Sequence, residues 1–510
     1  MTPLPHRFFN AALTALLLCF ASTTLLAGSE WERLDAFVDR GMEMWHVPGM
    51  AVTVVSRSEV MYQKGFGQTE AGGGKAVDNH TLFANASTTK AMVAAGILML
   101  ADEDRLSLDD TIISHIPELH FNDPLLTGQL TIRDLLVHRT GLPSTDGWTF
   151  FQEMPLDEQI RRLSAVPAAA PLRSRHIYQN TMYELAGLVI ERLSGQRWDR
   201  FLTERLWKPI GMLETYGTRG DIKAGQSHVQ PYFYSDEELT AAEWDFPADL
   251  ADAAGSAWTS IHDMGLWAQF LLRGGVTTDG VRLITEESFD EMFKPQILID
   301  WEDYYPTTAL TQPDWTSYGL GWFQQNFQGR KIDFHTGSLS GLIAIIGLDR
   351  SGDRAVVVLG NRDHAEMRHA VLWEVMDNDA ADSARDWNQE IFDLYTNLAG
   401  DGGENWAETE KQRLKKTRLS LPVDNYQGAW VSEAMGEIVI EKSGRDWVLK
   451  TKKVEMPMSH WHLDTFLIEH EPWGLREFAE FRIGPAGEIE KMVLFGEDFL
   501  PVNVPVNGTE

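Results

Sequence analysis

Apolar positions along the chain follow two rhythms. Residues 49–69 (Gly-Met-Ala-Val-Thr-Val-Val-Ser-Arg, then Met-Tyr-Gln-Lys-Gly-Phe-Gly) form two β-rich runs joined by a polar turn, which predicts an antiparallel hairpin. Residues 88–104 are dominated by Ala, Met, Leu and Ile, with no Gly or Pro after Gly96. That run predicts a long buried helix. From there to about residue 275 the pattern is mostly helical, with pieces at Thr131–His138, Pro155–Ser164, Thr181–Ser194 and Ser260–Arg273. The last opens with Ser260 and Asp263 at the spacing of a helix start. Short strand-like runs then return at Tyr318–Gln324, Lys331–His335, Leu342–Asp349 and Arg354–Gly360, followed by a helix over Ala365–Met376. With strands at both ends and helices between, the simplest packing is one sheet assembled from the two ends around a helical insertion.

A second unit starts further on. Asp401-Gly402-Gly403 is expected to break a helical stretch, and Lys411–Arg418 places five basic residues in eight, the composition of a solvated linker helix. From Tyr426 the pattern alternates. Glu437–Glu441 and Asp446–Lys450 flank a turn at Lys442–Arg445, and similar runs follow at Thr465–His470, Glu477–Ile483 and Glu488–Phe495. Strands this short and evenly spaced predict a small meander or barrel. The expected division is therefore a main domain over 28–385, a helical linker over 386–420 and a β-module over 421–510.

Composition narrows the function classes. With 24 Phe, 18 Trp and 11 Tyr, the chain has far too many aromatics for a disordered protein. A formal net charge of −31 repels phosphate and argues against nucleic-acid binding through a basic surface. The single cysteine, Cys19, excludes an intrachain disulfide. It lies in residues 1–27, which carry no acid, place Arg7 ahead of an apolar run from Phe8 to Phe20, and end in small residues. This is the layout of a secretory signal peptide, so a secreted or periplasmic, cysteine-free mature protein with no stable membrane insertion is expected. Lipidation of Cys19 is disfavoured by the bulky Leu18 before it.

Three short elements carry candidate chemistry. Ser87-Thr88-Thr89-Lys90 stands at the mouth of the apolar helix, where residues three apart share a face, so the lysine amine can reach the serine hydroxyl. A buried, neutral lysine can deprotonate a serine that is otherwise a poor nucleophile. Burial would lower the lysine pKa, and residues 83–100 contain no acid to offset this. Tyr178-Gln179-Asn180 offers a phenol able to relay a proton and an amide able to hold a substrate carbonyl. Read alone, Tyr178 fits a half-buried loop aromatic better than a proton relay. His335-Thr336-Gly337-Ser338 ends a strand whose edge could pair with an extended acyl chain. A free N–H there could complete an oxyanion hole with that of Ser87.

In this order, and spaced about 90 and 155 residues apart, the three motifs resemble those of the penicillin-recognising serine hydrolases. These include class C β-lactamases, D-alanyl-D-alanine carboxypeptidases with the His-Thr-Gly form, esterases and D-aminopeptidases. Thr131–Leu142, Leu206–Leu213 and Ala254–Met264 are similar to connecting segments of the same family, and the resemblance covers about residues 30–380. It implies an α/β (α+β) fold: a β-lactamase/transpeptidase-like antiparallel sheet flanked by helices, with an all-helical insertion. The C-terminal module resembles the lipocalin-like domain appended to some family peptidases.

By that resemblance Ser87 is the acylated nucleophile, Lys90 its base, and Tyr178 a proton-transfer assistant. Asn180 contacts the substrate amide, and His335 takes the cationic position of the third motif. Thr336, Gly337 and Ser338 belong to the substrate-binding strand, and the N–H groups of Ser87 and Ser338 form the oxyanion hole. His335 stands where β-lactamases usually have lysine, which favours a peptidase or esterase over a β-lactamase. The expectation is a serine hydrolase acting on a peptide or small-molecule amide or ester, D-residue peptides among them, without metal or organic cofactor. The alternatives are a catalytically silent β-lactam or peptide sensor and, less favoured, a true β-lactamase. No Gly-x-Ser-x-Gly elbow is present, and His460, His462 and His470 fit structural roles in the β-module better than metal ligation. That module could cap the site, oligomerise the chain or bind a ligand.

Overall fold

The computed structural model describes residues 30–235, 237–242, 252–378, 380, 385–470 and 474–502. The expected signal segment and Cys19 lie outside the described residues. Nine strands form the main sheet: β1 (Gly49–Val55), β2 (Val60–Glu70), β3 (Gly73–Ala76), then β8 (Ile297–Leu298), β9 (Thr316–Tyr318), β10 (Phe323–Phe327), β11 (Arg330–Leu339), β12 (Leu342–Asp349) and β13 (Arg354–Gly360). Their spatial order is β3-β2-β1-β13-β12-β11-β10-β9-β8. The first strand therefore pairs with the last, Met50 opposite Gly360 and Val55 opposite Ala355, as a sheet built from the two ends of the domain requires.

Both faces of this sheet are covered, and side-chain alternation divides the central strands between two cores. Ala51, Val55, Ala344, Ile346, Val357 and Leu359 face one core, which contains α2 (Thr89–Asp102) and α4 (Ile261–Leu272). Val52, Val54, Ile343, Ile345, Val356 and Val358 face the other, which is closed by α1 (30–45), α5 (Met367–Met376) and the start of α6 (Trp387–Gln412). Burial on both faces explains why β12 and β13 read as nearly continuous apolar runs.

Four features depart from the sequence pattern, the first being that the basic run Lys411–Arg418 is not a helix, since the helix Trp387–Gln412 ends at its second residue. The run Tyr318–Gln324 is two strands, because Gly321 turns the chain with φ +82° and seats the turn on α2. A Cβ there would lie 3.0 Å from Ala91 Cα. The middle region is helical except for two short antiparallel pairs: β4 (Leu82–Ala84) with β7 (Trp258–Ser260), and β5 (Tyr232–Ser235) with β6 (Glu238–Ala241). Finally, Asp401-Gly402-Gly403 does not break the helix, for α6 runs through it. A glycine in a helix costs only about 1 kcal/mol, which the packing of the first turns of α6 can carry.

The C-terminal unit is a closed barrel of eight strands in sequence order, β14 (Gly428–Ser432), β15 (Gly436–Ser443), β16 (Asp446–Lys450), β17 (Glu455–His462), β18 (Thr465–His470), β19 (Leu475–Ile483), β20 (Ile489–Leu494) and β21 (Glu497–Pro501). Closure removes the exposed edges an open meander would leave. Tyr426, Trp430, Trp447, Phe466, Phe481 and Phe499 fill its interior. Its histidines make structural ties: His460 Nε2 bonds Leu463 O (2.7 Å), His462 Nδ1 accepts from Leu414 N (3.2 Å), and Arg413 of the basic run donates to the carbonyls of Trp461 and His460.

Candidate active site

Ser87 lies in a single 3₁₀ turn, Ala86–Thr88, that opens α2. Ala86 has φ +47°, a conformation unfavourable for a residue with a Cβ, so neighbouring structure must hold the turn. Two ties are visible. The Thr88 hydroxyl reaches Asn85 O (2.7 Å) and Asn85 Oδ1 (2.5 Å), and the Asn85 N–H donates to Ala257 O (2.7 Å). Pairing of β4 with β7 extends this connection and brings the 254–257 segment beside the helix mouth.

Because α2 is buried almost all round, Lys90 in its first turn has no route to solvent and is 0% exposed. Its ammonium position is defined by three oxygens: Ser87 Oγ at 2.9 Å, Asn180 Oδ1 at 2.7 Å and Ala254 O at 2.7 Å. Its Nζ also lies over the rings of Tyr178 (4.9 Å) and Tyr183 (5.6 Å). Burial pulls its pKa down to about 7, against the opposing pull of Asp146 and Glu184. Both acids come from outside residues 83–100, which is why the local sequence hid them. Glu184 is itself driven up to about 8 by burial, with Asp252 and Asp146 adding to the effect.

Asn180 begins α3 (Asn180–Ser194), and its Nδ2 donates to Asp146 Oδ1 (2.9 Å). Tyr178 precedes that helix and stands half-buried beside Lys90; desolvation raises its pKa well above the usual phenol value, with Ser87 acting in the opposite direction. Ser87, Lys90, Tyr178 and Asn180 therefore form one connected cluster.

The third motif approaches from β11. Strand β10 pairs with β11 only as far as Phe334, so residues 335–339 have a strand neighbour, β12, on one side alone. The other side passes against the Ser87 turn. A Cβ on Gly337 would stand 2.8 Å from Ser87 N and 2.7 Å from Ala86 Cβ, so only glycine permits this approach. The Gly337 carbonyl and Ser338 Oγ both accept from the buried Arg368, the latter at 2.8 Å. Arg368 in turn pairs with Glu366 (2.8 Å), which also bonds His369 (2.8 Å). Burial opposes the charge on Glu366, but Arg368 and His369 hold its carboxyl far below the usual range.

His335 is 1% exposed, with Nε2 on the Tyr318 hydroxyl (2.9 Å) and Nδ1 at Thr336 O (2.6 Å). Burial, with Lys90 adding to it, takes its pKa down to about 3, so its ring is neutral and supplies no cation. It belongs to a buried floor with His138, His176 and Tyr318 beneath Tyr178. Thr336 points its hydroxyl to Tyr305. Only Ser338 of the third motif lines the open cleft. The motif reading did not reach Asp146, Ala254 O, Arg368, Glu366 or Tyr318. Ala254 stood within a segment already singled out, whereas a lone Asp or Arg far along the chain carries no local signal.

The cleft has a volume of about 1130 Å³. Phe150, Phe233, Tyr234 and Leu339 line it from the main domain, Phe392 and Tyr395 from α6, and Gly474 and Leu475 from the barrel. The barrel also grips the segment that carries Asp146. Lys453 N donates to Phe151 O (3.1 Å), Gln152 Nε2 donates to Glu437 O (3.0 Å), and Phe151 stacks on Phe495 at 5.2 Å. Ala434, from the β14–β15 turn, is buried in the core of the main domain. Among the described residues no cluster of three metal-ligating side chains occurs, and no helix is long and apolar enough to cross a membrane.

Residues 34–381, well over half of the chain, match the family described as Beta-lactamase. The chain belongs to that family. The fold is that of the β-lactamase/transpeptidase-like serine hydrolases, and the eight-stranded barrel fits a lipocalin-like module. Residues 412–505 match a second family, described as Domain of unknown function (DUF3471). Among curated relatives, Unguisins hydrolase ungD' of Aspergillus campestris is 26% identical over 495 residues, covering 88% of this chain and 86% of that protein. Protein flp of Staphylococcus aureus is 24% identical over 347 residues, covering 66% and 64%.

Solved structures share the fold. The octameric penicillin-binding protein homologue from Pyrococcus abyssi superimposes with a TM-score of 0.61 at 20% identity, covering 92% of this chain and 99% of that one. The D-amino acid amidase from Ochrobactrum anthropi gives 0.51 at 24% identity, covering 64% and 89%.

Proposed function

We propose that this family member is an exported serine hydrolase that cleaves an amide or ester bond through an acyl-enzyme on Ser87. The observation that carries this reading is the buried Lys90 amine, 2.9 Å from Ser87 Oγ and with a pKa near neutrality. Near pH 7 a substantial fraction of Lys90 is neutral and can take the Ser87 proton as Oγ attacks the carbonyl. The new C–O bond moves negative charge to the carbonyl oxygen, where the N–H groups of Ser87 and Ser338 stabilise it. Tyr178, whose ring lies beside Lys90, passes a proton to the departing amine or alcohol. Water then releases the acyl group by the reverse route. Asn180 fixes Lys90 on one side and presents its amide to the substrate. His335 acts as a neutral support beneath Tyr178 rather than as a charge.

The substrate class we favour is a peptide or amide bearing a D-residue. Support comes from the D-amino acid amidase and a D-stereospecific amidohydrolase from Streptomyces among the proteins of like fold. No cofactor takes part in the proposed reaction. A fluorophosphonate probe tests it: wild type is labelled, and Ser87→Ala is not. If wild type stays unlabelled while a control serine hydrolase reacts, the chain is a silent binder. Turnover of D- and L-aminoacyl amides, short esters and nitrocefin then fixes the substrate class.

A further inference from the structure

The cleft contains one feature that the proposed bond-breaking chemistry leaves unused. Arg362 is the only arginine or lysine among the described residues lining it. Its Nε is buried and without a hydrogen-bond partner, and among the described residues no carboxylate pairs with its guanidinium. The group lies 5.3 Å over the ring of Tyr234, which stacks on His46 at 4.2 Å. The stack keeps the planar guanidinium at the cleft wall. Arg362 also bridges in parallel to Tyr232, and the Asp363 N–H donates to Tyr232 O (2.8 Å), so its backbone is fixed to the β5–β6 hairpin.

The carboxylates of the cleft, by contrast, are already engaged. Asp363 accepts from His364 (2.7 Å) and from Gly341 N (3.4 Å). Glu366 belongs to Arg368 and His369, and Asp146 accepts from Asn180. A half-buried cation without an ion-pair partner carries a desolvation cost that the Tyr234 stack offsets only in part. Burial accordingly pulls the Arg362 pKa down, while Asp363, Glu366 and Tyr234 act in the opposite direction. Arginine's fork of N–H donors matches a carboxylate in two parallel hydrogen bonds.

We propose that Arg362 is a specificity residue that anchors a carboxylate of the substrate at the cleft wall formed by the β5–β6 hairpin, with the aromatic lining taking the apolar groups beside it. This rests on the reading of the cleft as the substrate site of Ser87, because Ser338, whose N–H belongs to that reading, lines the same space. It also relocates charge recognition, since the buried, neutral His335 cannot provide it from the third motif. The ligand predicted is thus amphipathic: aromatic or aliphatic along its length and acidic at one point.

Binding to the Ser87→Ala protein tests this without requiring turnover. Three probes are titrated calorimetrically, each as L,L and D,D peptides: N-acetyl-phenylalanyl-alanine with a free C-terminus, its C-terminal amide, and the amidated peptide with glutamate replacing alanine. The expected result is that at least one carboxylate probe binds about tenfold or more tighter than the neutral amide. The free C-terminus and the glutamate side chain are told apart by which probe gains. Adding Arg362→Gln should erase that preference while leaving the affinity of the neutral amide unchanged, and Arg362→Lys should restore part of it. Equal binding of all probes, no binding of any, or a preference that survives Arg362→Gln overturns the proposal. Failure of the hydrolase reading shows separately, as absent fluorophosphonate labelling of the wild type.

Discussion

Replacing Asp146 by asparagine removes a charge near Lys90 while keeping an oxygen for the Asn180 hydrogen bond. At pH 7 an ordinary lysine, with a pKa near 10.4, is neutral in only about one molecule in 2,500. Lys90, brought down to about 7, is neutral in about half. The rate of Ser87 acylation should therefore rise about tenfold per pH unit up to pH 7 and level off above it. Asp146 opposes this by favouring the ammonium form.

The Asn180 amide bridges the two groups through contacts of 2.7 Å and 2.9 Å. That bridge puts the two charges about 7 Å apart, worth about 2.4 kcal/mol at an effective dielectric of about 20. Asp146 is half-buried, so solvent screening reduces this further, to a shift on the order of one pH unit. Glu184 adds little below pH 8, because it stays protonated there. Asp146→Asn should thus move the midpoint of the pH–rate curve from about 7 to about 6. The assay is the second-order rate of fluorophosphonate labelling between pH 5 and 9, with Lys90→Ala as the variant that loses the limb. A wild-type midpoint near 10, or identical midpoints for wild type and Asp146→Asn, would refute this electrostatic account.

Two further outcomes are expected. Gly337→Ala places a methyl group 2.8 Å from Ser87 N, so labelling should slow by at least about 100-fold, the scale of a lost oxyanion donor, while circular dichroism stays native. Phe495→Ala removes the stack on Phe151, worth about 0.5–1.5 kcal/mol beyond area burial. If the barrel holds the Asp146 segment in place, KM for a peptide substrate should rise severalfold. A KM that does not change would show that the barrel's grip is irrelevant to the site.

The sequence by itself determined the parts of the protein that depend on short-range pattern. The apolar runs of β12 and β13 and the all-apolar α2 leave no choice but burial. Ser87 and Lys90, three residues apart on a helix start, must share a face. The alternating runs after Tyr426 had to close into some small β-structure, and a barrel leaves no strand unpaired.

What tertiary structure decided were the long-range juxtapositions. Only folding buries Lys90, which lowers its proton affinity, and places Asp146 near it to oppose that shift, because Coulomb interactions depend on spatial rather than chain separation. Only burial turns His335 from a nominal cation into a neutral support. The helix through Asp401–Gly403 persists despite its two glycines, because packing of its first turns outweighs a local cost of about 1 kcal/mol per glycine. And only the docked barrel, through Lys453, Glu437 and Phe495, shows that the C-terminal module forms part of the cleft wall.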